Sequence, residues 1–168
     1  MEDIQKLGIK KDIKRKNDFL NSLNKNQDIN DIQDVKGKLS FSFRYFDSNQ
    51  EAGQDFKDWN NEQKNQLLNK LKEYSKESKV YWLNQRVGKG GLKILEIYGA
   101  FPRNSDFKKP IYIPDEIKWA RFRLESAVRL VGFFIEEETA KKYGISADIF
   151  YIVFLDAFHR FYKIGEEK

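Results

Sequence analysis

Residues 119–126 read WARFRLES, 127–148 read AVRLVGFFIEEETAKKYGISAD, and 149–163 read IFYIVFLDAFHRFYK. The reading of this block decides the fold. Its two apolar runs, 128–135 and 149–155, are rich in aromatic and β-branched residues and apolar at odd and even positions alike. A strand covered on one face alternates, whereas a strand covered on both does not, so the two runs predict central strands. In 119–125 the alternation is clean. Phe122 and Leu124 fall on one face and Arg121 and Arg123 on the other. Ser126 marks a tight connection to the next strand. The interruption EEETAKKYGISAD is too long for a hairpin turn and predicts a short helical excursion. Arg121, Arg123, Arg129, His159, Arg160 and Lys163 lie within or at the ends of these strands, a cationic rim suited to a phosphate-bearing ligand.

Upstream, residues 38–46 give another alternating strand, with Leu39, Phe41, Phe43 and Tyr45 facing one way and Ser40, Ser42 and Arg44 the other. Asn60 followed by Gln63 resembles a capping box, and Leu67, Leu68, Leu71 and Tyr74 then supply the apolar stripe of a helix over 62–78. Residues 80–83 and 92–98 read as short strands joined by a connection containing RVGKGG. That connection lacks the spacing and the Ser or Thr of a phosphate loop, so it reads as a turn. The segment GAFPRNSDFKKP, with Pro102 and Pro110, is loop. At the N-terminus Ile9, Ile13, Leu20 and Leu23 form one helical stripe among Lys10, Lys11, Lys14, Arg15 and Lys16. Two readings stand for it, a basic arm on nucleic acid and a solvated face. The Asn/Asp-rich stretch that follows is a linker. The expected organisation is a basic helical extension and linker over 1–35 and an α+β domain over 36–168. In that domain a single antiparallel sheet is packed by one or two helices.

Composition limits the chemistry. The chain has 168 residues, 40% hydrophobic and 15% aromatic, which is material for one core without staples. It has no cysteine and one histidine, so no disulfide framework, no thiolate nucleophile and no zinc site of the usual ligands is expected. There is no long uncharged apolar run and no apolar segment at the start, which predicts a soluble cytoplasmic protein without a membrane partner. Lys and Arg number 31 against 26 acidic residues, a mild lean toward anionic partners.

The order of strand, helix and C-terminal antiparallel block resembles the RelE/ParE-like toxin superfamily. The pieces that carry the resemblance are Arg121 and Arg123 in ARFRLES, Arg129 in AVRLVGFF, the apolar FYIVFLD, and His159, Arg160 and Tyr162 in FHRFY. The N-terminal helix, the 79–117 insertion and the EEETAKKYG excursion are additions to that pattern, and the gap between Arg160 and Tyr162 is shorter. The resemblance implies a concave sheet that binds RNA and a metal-independent endoribonuclease of a toxin–antitoxin pair. It needs no cofactor, and its partners are RNA, on or off the ribosome, and an acidic antitoxin protein. In that reading His159 and Tyr162 are the proton-transfer candidates, Arg129 and Arg160 stabilise the phosphorane, and Arg121, Arg123 and Lys163 hold RNA. Arginine suits phosphate because its fixed fork meets two oxygens, and histidine suits proton transfer near neutral pH. The alternative is a non-catalytic interaction module on the same fold. The bland readings of the residues also stand: arginines paired with Glu125, Glu136, Glu137 or Asp156, and His159 packed between Phe158 and Phe161.

Overall fold

The computed structural model describes residues 14–18, 36–115 and 117–163. The chain divides into two units, Met1–Lys36 and Gly37–Lys168. In the first, residues 14–18 form an exposed helical turn; the rest of the expected helix and its linker lie outside the described residues.

The second unit is built on five strands in the order β1-β7-β6-β5-β4. They are β1 (Ser40–Ser42), β4 (Leu95–Gly99), β5 (Lys118–Arg123), β6 (Arg129–Phe134) and β7 (Ile149–Asp156). β6 and β7 are interior strands, as their two-faced apolar runs predict, and every residue of β6 is buried. The sheet is mixed, not antiparallel. β4, β5, β6 and β7 run antiparallel in turn, but β1 joins β7 in parallel, pairing Ser40 with Ile149 and Ser42 with Tyr151. Nor is it the only sheet: β2 (Arg86–Val87) and β3 (Leu92–Lys93) form a separate hairpin around RVGKGG. Gly88 and Gly91 hold positive φ in its turn, a backbone conformation that costs glycine nothing.

The 38–46 strand is shorter than its alternation predicts. After Ser42 the chain turns, because the Ser42 hydroxyl accepts the Arg44 N–H and the Phe43 carbonyl accepts the Phe46 N–H. Phe43 is left exposed. Residues 80–83 are not a strand. They lie in a short helix, α2 (Lys79–Asn84), whose N-cap Ser78 accepts the Tyr81 N–H. Four apolar residues in a row do not separate helix from strand, and here the cap decides. The preceding helix, α1 (Asn61–Tyr74), starts as expected, with Asn60 and Gln63 forming a reciprocal capping box. It stops at Tyr74, short of 78. Leu67 and Tyr74 are buried and Leu71 is half-buried, but Leu68 faces solvent. The excursion after β6 is helical: α3 (Glu137–Tyr143) ends on Gly144 at φ 66°.

The two faces of the sheet carry two cores. Register places Phe122 beside Leu130 and Leu130 beside Leu155, and Ala120 beside Gly132 and Gly132 beside Ile152. This face packs on Leu67, Tyr74 and Trp82 of α1 and α2. Tyr74 stacks on Phe122 at 4.8 Å, and its hydroxyl donates to the Arg123 carbonyl. The other face sets Trp119, Val131, Phe133 and Phe154 against Phe107 and Ile113 of the long 100–117 loop and against Phe161. No helix among the described residues is long and apolar enough to cross a membrane.

Candidate nucleic-acid interface

Pairing across β5, β6 and β7 sets Arg123 opposite Arg129, and Arg129 opposite Asp156. In the adjoining row Glu96 of β4 lies opposite Arg121. Arg121 and Arg123 share a face because strand side chains alternate, and cross-strand pairing adds Arg129 to it. The sequence thus brings three guanidiniums together.

Their surroundings differ sharply. Arg121 is only 7% exposed and fully engaged: Nε donates to the Tyr98 hydroxyl at 2.8 Å, one terminal nitrogen to Glu96 at 2.7 Å, and the other to the Lys93 carbonyl at 3.3 Å. Arg129 is 3% exposed. One terminal nitrogen donates to the carbonyls of Ser126 and Val128, both at 2.8 Å, and its buried Nε has no acceptor. Arg123 is partly exposed, with one long bond from Nε to the Lys93 carbonyl at 3.4 Å. Among the described residues it has no carboxylate partner.

The electrostatics follow from this crowding. Burial first, then Arg123 and Arg121, push the Arg129 guanidinium down to about 10. It is still a cation at neutral pH, held at a cost. Arg123 is lowered too, by burial and then by Arg121. Asp156 faces Arg129 but forms no ion pair with it. Its carboxylate is fully buried and instead accepts three backbone N–H groups: Phe158 at 3.2 Å, Arg160 at 2.9 Å and Phe161 at 2.9 Å. Three cations therefore meet two carboxylates, and one of those is already saturated with donors.

Those three bonds fold 157–163 into a hook beyond β7. Phe161 is driven into the core against Phe101, Phe107 and Trp119. Phe158 points outward, so His159 is not packed between Phe158 and Phe161. Instead His159 is half-buried with φ 58°, and its imidazole makes no hydrogen bond or ion pair among the described residues. Arg160 and Lys163 both pair with Asp106 on the long loop, and the Asp106 N–H donates to the Arg160 carbonyl. Tyr162 is 42% exposed, and its ring lies parallel to that of Tyr98 at 4.6 Å and 4°.

The expected rim of free cations is thus mostly internal. Arg121 and Arg129 are buried under the surface, and Arg160 and Lys163 share the single carboxylate of Asp106. Of the carboxylates expected to pair with the arginines, Glu136 pairs with Lys118 and Glu137 with Lys79, while the partner used is Glu96. Glu96, Tyr98 and Asp106 were the residues that sequence reasoning missed. A signal existed for two of them, since Glu96 and Tyr98 alternate with Leu95 and Ile97 and so share one face of a strand. Asp106 sits in an irregular loop and carries no such signal.

A wider hollow of about 520 Å³, lined by Lys79, Lys118, Phe134 and Glu136–Glu138, lies at the far end of β5 and β6 from Arg123 and Arg129. Its lysines are already paired with Glu136 and Glu137, so it offers an anion little uncompensated positive charge. No group of three or more His, Asp or Glu side chains among the described residues converges to hold a metal ion. No protein-family model, curated protein or solved structure matches this chain.

Proposed function

We propose that this protein binds single-stranded RNA through phosphates at Arg123, without cleaving it. The observation that carries the reading is the three-guanidinium cluster, which faces only two carboxylates among the described residues. Arg123 is its accessible member. Arg121 and Arg129 lie behind it and raise the local positive potential in a poorly solvated site, where charge acts more strongly than in water. Burial is the main reason Arg129 is pushed down, and an anion at Arg123 would relieve the repulsion that adds to it. RNA is favoured over other anions by the resemblance to the RelE/ParE-like superfamily, and single strands by the exposed aromatic ring beside the cluster. The binding module is preferred to the endoribonuclease because the catalytic candidates have other roles. Arg160 is tied to Asp106, Arg129 is buried on carbonyl oxygens, and His159 has neither an orienting partner nor a hydrogen bond among the described residues. An acidic antitoxin segment would compete with RNA for the same charge at Arg123.

Fluorescence anisotropy with a labelled single-stranded RNA at two salt concentrations tests the proposal. Affinity should fall as salt rises, because phosphate contacts release counterions, and Arg123→Ala should weaken binding and reduce the salt slope by about one. The RNA should be recovered intact in the presence and absence of EDTA. Absence of binding at low salt would move the protein to the protein-interaction class. Cleavage that survives EDTA and leaves a 2′,3′-cyclic phosphate would restore the ribonuclease.

A further inference from the structure

We infer that the outer face of the Tyr162 ring is a subsite for one unpaired nucleobase of the bound strand. The inference rests on the RNA-binding reading but on a separate observation. Tyr162 follows the buried Phe161, yet the residue stays 42% exposed while one face of its ring is covered by the parallel ring of Tyr98. Tyr162 also lines a small hollow of about 270 Å³ with Pro102, Arg103, Asn104 and Lys163, from which Tyr98 is absent. That lining is polar and cationic, which suits a flat base with an attached phosphate better than it suits an apolar side chain.

The platform is held from three sides. Arg121 donates to the Tyr98 hydroxyl, which fixes the lower ring and joins it to the guanidinium cluster. The Asp156 carboxylate fixes the hook that carries the upper ring. Asp106 ties Arg160 and Lys163, on either side of Tyr162, to the loop that bears Arg103 and Asn104. A ring held this firmly loses little conformational freedom when a base stacks on it, so most of the stacking free energy appears as affinity. Arg103 has no ion pair among the described residues and lines the same hollow, so its charge is open to a phosphate attached to the base. The Asn104 carboxamide can meet the edge of any base with a donor or an acceptor.

The test compares two labelled strands of equal length and phosphate count, one a single-stranded RNA and the other carrying abasic ribose at its central positions. The wild-type protein should prefer the base-bearing strand by about 5- to 150-fold, the range for one base on one aromatic ring. Tyr162→Ala and Tyr162→Leu should bind both strands equally with the salt dependence retained, and Tyr162→Phe should keep the preference. Equal affinity of the wild-type protein for both strands would overturn the subsite and leave phosphate binding standing. Absence of binding to either strand at low salt would overturn both.

Discussion

Replacing Asp156 probes the link between the sheet and the candidate site. Its carboxylate is fully buried at the end of β7 and is the only acceptor, among the described residues, for the N–H groups of Phe158, Arg160 and Phe161. In Asp156→Ala all three donors lose their partner. A buried unsatisfied donor costs about 1–3 kcal/mol. The Phe161 N–H is buried and bears the full cost, whereas water can reach the other two once the hook loosens. The expected loss is about 3–5 kcal/mol. Asp156→Asn keeps one oxygen but sets an NH₂ group against the Phe161 N–H, for a loss of about 1–3 kcal/mol. Both variants also remove the carboxylate that favours the charged form of Arg129, which adds to the cost. Urea unfolding measures this as a lower midpoint with an unchanged slope. Below the transition, the folded fraction should lose its preference for base-bearing RNA and keep its salt dependence, since Tyr162 is released while Arg123 is not. An Asp156→Ala protein less than about 1 kcal/mol below wild type, with the same slope, would refute the reasoning.

Two further outcomes are expected. A Cβ at Gly132 would lie 2.1 Å from the Tyr151 carbonyl oxygen and 2.9 Å from a Phe150 ring carbon, where β7 bulges against β6. Backbone cannot swing aside as a side chain can, so Gly132→Ala should exceed the usual overpacking cost of about 1–3 kcal/mol, and an unchanged melting temperature would rule out the close approach. Asp106 should titrate below its ordinary value of 3.8, because Lys163 and then Arg160 hydrogen-bond its charged form. A depressed carboxyl contributes stability above the unfolded pKa and loses it as pH falls through the folded one, so its two ion pairs should persist at pH 5 and fail only in stronger acid. A carboxyl resonance of Asp106 with its midpoint at or above 3.8 would contradict the pairing.

The chain by itself determined which segments are interior and where several elements begin. The apolar runs of β6 and β7 and the pair Asn60 and Gln63 at the start of α1 each act through neighbours a few residues away, so a local pattern carries them. Alternation in β5 likewise settled that Arg121 and Arg123 share a face. What only the tertiary structure decided depends on partners far along the chain. Periodicity states that a strand face is buried but not which strand lies beside it, so neither the parallel pairing of β1 nor the place of β4 at the sheet edge was legible. The register that sets Arg129 opposite Asp156 depends on a bulge at Gly132. Glu96 reaches Arg121 across 25 residues and Asp106 reaches Arg160 across 54, and both pairings exist only once the loop between them has closed. The same holds for the candidate platform. Tyr98 and Tyr162 are ordinary aromatics in the sequence, and they become a stacked pair because one buried carboxylate, Asp156, turns residues 157–163 back over the sheet.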